Sequence, residues 1–208
     1  FSSNWNFSKI NSDCTKKFSI VVINPLDYEY FRKVKMSKKI LVIGSGIAGI
    51  SSSLKLKSYG LNPTIVDKGN FIGGRIGTRE IKIKYNSNYF FHGAQFFTAK
   101  TNEFKKIIYT GIKKKYIKEF GNFDPKRYRG NTTMREFLLN LSKELNVQQK
   151  IKITKVLPLD NKINVLDDKK KEWISYDGVI STPPAPQNYR LLNEFPSLQE
   201  TLKTGSYH

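Results

Sequence analysis

The sequence is poor in the residues that build disulfides and metal sites, since it has one cysteine and two histidines in 208 residues. Cys14 alone cannot form an intrachain disulfide, which fits a reducing compartment. With no cluster of cysteine and histidine, we predict no metal site. No apolar run approaches the roughly 20 residues that a membrane span needs, and the first residues lack the pattern of a secretory signal. We therefore predict a cytoplasmic protein that does not engage a membrane.

Acidic residues are also scarce: 17 Asp and Glu stand against 36 Lys and Arg, a net charge of +19. Such a charge is compatible with a nucleic-acid partner or with a lysine-rich composition. The lysines are spread along the whole chain, and the runs at 113–115 and 169–171 lie in polar stretches typical of solvated surfaces. We favour the compositional interpretation, predict no nucleic-acid binding, and expect the positive field to attract phosphate-bearing molecules.

What the sequence does contain is a glycine fingerprint directly after the apolar run Ile40–Ile43. Gly44, Gly46 and Gly49 form G-x-G-x-x-G, and Asp67 closes the next apolar run at about the spacing typical of dinucleotide-binding turns. The first glycine permits a sharp turn, the second lets backbone approach a pyrophosphate, and the third allows close packing of helix on sheet. The helix N-terminus would meet the phosphates.

Asp67 predicts the type of dinucleotide, because a carboxylate accepts hydrogen bonds from ribose hydroxyls and repels a 2′-phosphate. The competing interpretation is a tight turn in an α/β protein that binds nothing. Because strand, turn, helix, second strand and acid all occur in order, we favour dinucleotide binding.

Periodicity places further elements along the chain. It predicts strands at 39–44 and 63–67, a helix at 47–59 and a hairpin over 80–97 with its turn at 86–88. Helical spacing covers 101–118 and 133–145. Thr132 or Thr133 is expected to cap the second helix, with Glu136 placed as a capping-box partner to Thr133. Strands at 150–157, 162–166 and 172–176 predict a β-meander, and 177–181 predicts a return strand into the main sheet. The predicted fold class is α/β, a Rossmann-type domain with a parallel sheet and a β-meander.

Beyond the fingerprint, the run from Asp67 through Gly73-Gly74-Arg75 to Arg79 resembles the second cofactor motif of the FAD-dependent amine oxidase superfamily. The segment Phe91–Lys100 resembles a narrower branch, the renalase-like NAD(P)/FAD-dependent oxidoreductases. Further segments look like the same branch in the same order: 128–134, 151–156 and 180–187. The resemblance covers about residues 38 to 192.

The resemblance implies FAD as the cofactor and assigns residues to it. The first turn and Asp67 would hold pyrophosphate and ribose, the Gly-Gly-Arg loop would lie along the pyrophosphate, and the Gly-Ala-Gln segment would pass close to the isoalloxazine ring. An apolar residue of a later strand, best placed at Ile153, would contact adenine. The candidate cofactor residues are Gly44, Gly46, Ile47, Ala48, Gly49, Asp67, Lys68, Gly73, Gly74, Arg75, Gly93, Ala94, Gln95 and Ile153.

The sequence departs from the branch at several points. Phe91 stands where Asp is usual, and Thr132 and Thr133 stand where Pro and Gly are usual. The C-terminal Gly-Asp motif of the family is absent before His208, so the resemblance implies a member truncated at its C-terminus.

The predicted organisation is an N-terminal extension at 1–35 outside the native fold, with Met36 as the natural start. Residues 36–208 then form the FAD/NAD(P)-binding domain, with 98–130 as a partial substrate-domain insertion. The lone His92 is more typical of a structural histidine than of a catalytic one, so no catalytic side chain is assigned.

The resemblance implies hydride transfer to flavin from a small molecule, either a reduced nicotinamide-type or an amine-like compound, with dioxygen reoxidising the flavin to give hydrogen peroxide. The alternatives are a non-catalytic dinucleotide-binding fragment and an amine oxidase or desaturase.

Overall fold

The computed structural model describes residues 19–21, 38–83, 86–91, 93–160 and 162–203. The described chain divides into two compact units. The first, which we call the sheet unit, contains the described residues up to Asn70 and from Leu145 onward. The second, the 71–144 unit, is the segment between them. Residues 98–130 of the predicted insertion lie in the 71–144 unit, and that narrower domain boundary stays a prediction.

The sheet unit is built on a parallel sheet of five strands. They are β1 (Ser19–Val21), β2 (Ile40–Ile43), β3 (Thr64–Asp67), β8 (Asn146–Gln149) and β12 (Gly178–Ser181), in the spatial order β1-β12-β2-β3-β8. All four residues of β2 are buried, as expected for a parallel strand covered on both faces. The first helix, α1 (Ile47–Ser58), crosses from β2 to β3. This βαβ unit is the one that the glycine fingerprint predicts.

A second sheet in the same unit is antiparallel. Its strands are β9 (Ile153–Leu159), β10 (Lys162–Asp167) and β11 (Glu172–Tyr176), with β10 in the centre. The predicted β-meander is thus confirmed. Its apolar side chains share one core with β2, β3 and β12 and with the last two helices, α4 (Ala185–Leu191) and α5 (Pro196–Lys203).

The segment predicted to be an extension contributes β1, whose three residues pair in parallel with Gly178, Val179 and Ile180 of β12. Most of residues 1–35 lie outside the described part of the chain, as does Met36, so the predictions about the extension and the start stay predictions. Strand β8 was not predicted from the sequence, because three of its four residues are polar and it contains no apolar run.

The 71–144 unit contains two small hairpins and two helices. The hairpins are β4 (Arg79–Ile83) with β5 (Asn86–Phe90), and β6 (Ile117–Glu119) with β7 (Tyr128–Gly130). The helices are α2 (Asn102–Lys113) and α3 (Met134–Leu141). Their core includes the rings of Phe97, Phe104 and Phe137, with ring centroids 4.9 to 6.2 Å apart.

Three boundaries in this unit differ from the sequence prediction. The residues predicted as the turn of the first hairpin, 86–88, belong to strand β5. Helix α2 ends at Lys113, and 117–119 form a strand instead of a continuing helix. Helix α3 ends at Leu141, four residues early. Thr133 is confirmed as the N-cap, since its Oγ1 accepts from Glu136 N at 3.2 Å, but the return bond of the predicted capping box goes to the preceding residue. The carboxylate of Glu136 reaches back to Thr132 N at 2.8 Å.

None of the described helices has both the length and the apolar character to cross a membrane.

Candidate dinucleotide site

In the glycine-rich turn between β2 and α1, two glycines are packed too closely to carry a side chain, and the third faces open space. Gly44 has φ +105°, and an ideal Cβ on it would lie 2.4 Å from Thr182 Oγ1. A Cβ on Gly49 would lie 1.9 Å from the carbonyl oxygen of Gly44, so only glycine lets α1 approach the turn this closely. At Gly46, in contrast, no described atom beyond its chain neighbours lies within 4 Å of that position. The space in front of Gly46 can therefore admit a ligand group.

The N-terminus of α1 begins at this same glycine. Gly46 is the N-cap residue, and no described side chain caps the helix there. The carbonyl of Gly46 accepts the first helical hydrogen bond, from Ile50 N at 3.0 Å. Amides of the first turn, including those of Ile47 and Ala48, thus keep donors for an anion, and the helix dipole adds to the attraction.

Asp67 reaches from the end of β3 into the glycine turn. Its Oδ2 accepts hydrogen bonds from the backbone N of Ser45 at 2.5 Å and from Ser45 Oγ at 2.8 Å. Its Oδ1 accepts from Gly69 N at 2.7 Å. A carboxylate has about four acceptor positions, so about one remains, and the rotatable hydroxyl of Ser45 is the partner that a ribose hydroxyl could displace.

Ser45 is a site residue that the sequence analysis missed. It is fully buried, and both its backbone and its hydroxyl bind Asp67. It occupies a variable position of the G-x-G-x-x-G pattern, and no periodicity or spacing marks it.

Two other predicted residues stand at the edge of this arrangement. Lys68 is exposed and its Nζ donates to Gln187 Oε1 at 3.0 Å. Ile153 opens β9 and packs, half-buried, against the core of the sheet unit. Two residues before Ile153, the N–H of Ile151 donates to the carbonyl of Asp67 at 2.9 Å. The adenine contact at Ile153 stays a prediction.

The second group of predicted residues forms one piece of the 71–144 unit. Gly73 and Gly74 have φ +133° and +52° and lead into a short 3₁₀ turn, Gly74–Ile76. The carbonyl of Arg75 accepts from Ala94 N at 3.0 Å, and a Cβ on Gly93 would lie 1.9 Å from that same oxygen. The Gly-Gly-Arg and Gly-Ala-Gln motifs are therefore in direct backbone contact, with Arg75, Ala94 and Gln95 exposed.

Arg135 anchors this turn to helix α3, and no motif in the sequence identifies it. Its guanidinium donates to the carbonyl of Thr78 at 3.0 Å and lies 4.5 Å from the centre of the Phe71 ring. Next to it, Met134 N donates to Thr78 Oγ1 at 3.1 Å. Both ends of the segment that carries Gly73, Gly74 and Arg75 thus contact α3. The Nε of Arg135 is buried and has no hydrogen-bond partner among the described residues.

The structure places the predicted cofactor residues in two groups, one in each unit. Gly44, Gly46, Ile47, Ala48, Gly49, Asp67, Lys68 and Ile153 lie in the sheet unit, and Gly73, Gly74, Arg75, Gly93, Ala94 and Gln95 lie in the 71–144 unit. His92 lies outside the described residues. Among those described, no three His, Cys, Asp or Glu side chains are grouped so that they could hold a metal ion.

The residues present fit a dinucleotide. The space in front of Gly46 would be filled by a Cβ, the adjoining helix end has no side-chain cap, and a carboxylate lies within the turn. Together these three features suit a pyrophosphate, which would accept hydrogen bonds from the helix amides, followed by a ribose, which would donate to the carboxylate.

The comparison with protein families agrees with this geometry. Residues 42–108 match the model of the NAD(P)-binding Rossmann-like domain. The matched range begins in β2 and includes the whole glycine turn, Asp67 and the Gly-Gly-Arg turn. This segment is therefore similar to that domain, and the predicted α/β fold class with a parallel sheet is confirmed.

Two curated proteins are similar over a short segment. The 4,4'-diaponeurosporene oxygenase of Staphylococcus haemolyticus (strain JCSC1435) is 42% identical over 43 residues, and the 1-hydroxycarotenoid 3,4-desaturase of Flavobacterium sp. (strain P99-3) is 39% identical over 44 residues. Each match covers 21% of this chain and 9% of the relative. The similarity therefore concerns a small part of those proteins.

Two solved structures share the fold over most of the chain. The CLA-producing fatty acid isomerase from P. acnes superposes with a TM-score of 0.64 at 11% identity, covering 82% of this chain and 64% of that one. A redesigned putrescine oxidase gives 0.56 at 11% identity, covering 76% and 60%. At this identity the likeness shows the fold alone.

Proposed function

We propose that this chain binds FAD and acts as an FAD-dependent oxidoreductase of the renalase-like type, in which a small-molecule substrate gives a hydride to the flavin and dioxygen takes the electrons on. The observation that carries the proposal is the turn at Gly46, where free space, an uncapped helix end and the Asp67 carboxylate coincide. The cofactor would supply the redox chemistry, because its ring accepts the hydride.

The residues of the chain would bind and orient the cofactor. Backbone amides at the start of α1 would hold the pyrophosphate, and Asp67 would accept a ribose hydroxyl once the Ser45 hydroxyl rotates away. Arg75, exposed at the Gly-Gly-Arg turn, would add a cation able to pair with phosphate oxygens. No described side chain is assigned a proton-transfer step.

FAD is preferred to a nicotinamide dinucleotide as the resident cofactor because of the second motif. The backbone contact between Arg75 and the Gly93–Gln95 segment joins the two regions that the resemblance places along the pyrophosphate and the flavin ring.

The test is a binding titration of the purified chain with FAD, followed by gel filtration and an absorption spectrum. We expect FAD to remain with the protein at one per chain, and anaerobic addition of reduced nicotinamide dinucleotide or of an amine to bleach the bound flavin. A protein that elutes colourless after incubation with FAD would refute the proposal.

Dinucleotide binding without turnover is the second candidate, because the family match is confined to the cofactor-binding segment 42–108. It predicts retention of FAD, or of NAD(H), with no reduction by any of these donors.

A further inference from the structure

One face of the β6–β7 hairpin carries cations and aromatic rings. Lys118 lies directly opposite Arg129 in the strand register, and Phe120 N donates to the carbonyl of Arg127 at 2.9 Å. Because side chains alternate between the two faces of a strand pair, these four side chains share one face. We call Lys118, Phe120, Arg127 and Arg129 the cationic face.

Aromatic rings alternate with its guanidinium groups. Arg127 lies between the rings of Phe96 and Phe123, with its central carbon 4.3 and 3.9 Å from their centres. Phe120 stacks on Phe96, with the ring centres 6.0 Å apart. The guanidinium of Arg129 lies 5.0 Å from the centre of the Phe120 ring.

Arg129 completes the series, since it also lies 5.6 Å from the Phe91 ring. Each guanidinium thus lies over two aromatic rings, and the N–H groups of a guanidinium form hydrogen bonds at its edge.

The charges of this face are not neutralised within the described chain. No ion pair joins Lys118, Arg127 or Arg129 to a described carboxylate. Glu119 lies on the opposite face and pairs with Lys126 at 2.9 Å. Like charges directly opposite each other on a strand pair destabilise it.

A second feature points the same way. The Nε of Arg129 is buried and has no hydrogen-bond partner among the described residues. A buried donor without a partner costs about 1 to 3 kcal/mol. Folding alone therefore accounts neither for this donor nor for the opposed cations.

We propose that the cationic face binds a planar anion, a carboxylate or phosphate attached to an aromatic or conjugated ring. The guanidinium edges would hold the acidic group, and Phe91, Phe96 or Phe123 would stack on the ring. A protonated amine is repelled, because the face offers three positive charges and no paired carboxylate.

This inference rests on the proposed function and narrows its substrate class. Phe91 and Phe96 flank the segment Gly93–Gln95, which the resemblance places beside the flavin ring. A planar anion on the cationic face would lie next to that segment, so the hydride donor is an anionic compound and not an amine.

The experiment compares three probes of similar shape, phenyl phosphate, benzoate and benzylamine. Each is titrated by calorimetry and by ligand-observed NMR into the purified chain, with and without FAD. We expect the two anions to bind, with affinity that falls as salt rises, and benzylamine not to bind.

Arg127→Gln and Arg129→Gln should each weaken anion binding about tenfold, as for the loss of a charge-assisted hydrogen bond. Lys126→Gln is the matched control, since it removes the same charge from the opposite face and should leave anion binding unchanged. Arg129→Lys keeps the charge without the planar fork and should bind with intermediate affinity.

Near-ultraviolet circular dichroism and the thermal midpoint establish whether each variant is folded. If Arg129→Gln does not fold, Arg129→Lys is used in its place. Equal binding of benzylamine, or full anion affinity in folded Arg127→Gln and Arg129→Gln, would overturn the inference. FAD retention is read separately from the flavin absorption. Anion binding without FAD retention would refute the proposed function, while FAD retention without anion binding would refute only the inference.

Discussion

The two units of the molecule prepare for a ligand in different ways. In the sheet unit, the site is made of backbone: a turn of three glycines, a helix end without a cap, and one carboxylate that binds the turn itself. In the 71–144 unit, it is made of side chains: guanidinium groups between aromatic rings. In our proposal, the first arrangement would recognise a phosphate common to many cofactors, and the second would select among substrates.

The two units also differ in net positive charge. Residues 71–144 carry 16 Lys and Arg against six Asp and Glu, whereas the other 134 residues carry 20 against 11. The excess per residue is therefore about twice as high in the 71–144 unit. The compositional bias proposed from the sequence accounts for scattered lysines, but not for Arg127 and Arg129, whose guanidinium groups lie over aromatic rings.

The largest expected loss of stability is at Gly49, in the glycine turn of the sheet unit. We expect Gly49→Ala to lower the free energy of unfolding by about 3 kcal/mol, the upper end for overpacking, because its Cβ would lie 1.9 Å from a backbone carbonyl that cannot move without shifting the turn. Urea unfolding measures the change. Gly46→Ala is the control and should cost less than about 1 kcal/mol. Equal losses in the two variants would contradict this account of the turn.

In the 71–144 unit, the side chain with the largest expected effect on the Gly-Gly-Arg turn is Arg135. Arg135→Met should lower the free energy of unfolding by about 1.5 kcal/mol, the value for a hydrogen bond with one charged partner. It should also speed amide exchange at Gly77, whose N–H closes the 3₁₀ turn on Gly74 O at 3.1 Å. Arg79→Met is the control, since Arg79 is exposed and has no described side-chain hydrogen bond. An unchanged exchange rate at Gly77 would show that Arg135 does not hold the turn.

A substitution at Gly93 tests whether the 71–144 unit, like the sheet unit, depends on a glycine packed closely against a backbone carbonyl. Its Cβ would also lie 1.9 Å from a carbonyl, that of Arg75, but in an exposed segment. An exposed loop can relax, so we expect Gly93→Ala to cost only about 1 kcal/mol. Hydrogen exchange should show faster exchange at Ala94, whose N–H donates to Arg75 O. A loss as large as that of Gly49→Ala would mean that the two units are equally rigid here.

The smallest effect concerns Asp177, between β11 and β12. Burial opposes ionisation of its carboxyl, but hydrogen bonds from Lys162 and the backbone N of Lys39, with the nearby lysine charges, hold the pKa of Asp177 below its ordinary value. A lowered pKa in the folded state contributes stability above the unfolded pKa of about 3.9. That contribution is lost as pH falls through the folded value.

The stability of Asp177→Asn should therefore approach that of the wild type as pH falls below about 4, with a difference at neutral pH of less than about 1 kcal/mol. Thermal midpoints over this pH range measure it. A stability difference between the two proteins that grows as pH falls would contradict the lowered pKa of Asp177.

Local sequence was sufficient for the first strand, turn and helix of the sheet unit. The strand, turn and helix from Ile40 to Ser58 were predicted to within about a residue, because glycines and an apolar run have few alternatives. Strand β8 could not be predicted, since its polar residues become a strand only by pairing with β3. Ser45 was missed for a similar reason, because its role depends on a carboxylate 22 residues away.

In the 71–144 unit, much of the arrangement depends on contacts between distant segments. Helical spacing through residue 118 concealed the break after Lys113, where Lys115 takes φ +61° and the chain turns into β6. The cationic face could not be predicted from the sequence, because it depends on the pairing of two strands and on contacts with Phe96 from a third segment. Arg135 becomes significant only through its contacts with Thr78 and Phe71.

The most direct test of the central claim is the affinity for FAD of the wild-type chain and of Gly46→Ala, measured by flavin fluorescence at matched folded fractions. The account predicts that the wild type binds one FAD, and that the added methyl group weakens binding at least about tenfold because it occupies the place of the pyrophosphate. Equal affinity in the two proteins, or no binding by the wild type, would contradict it.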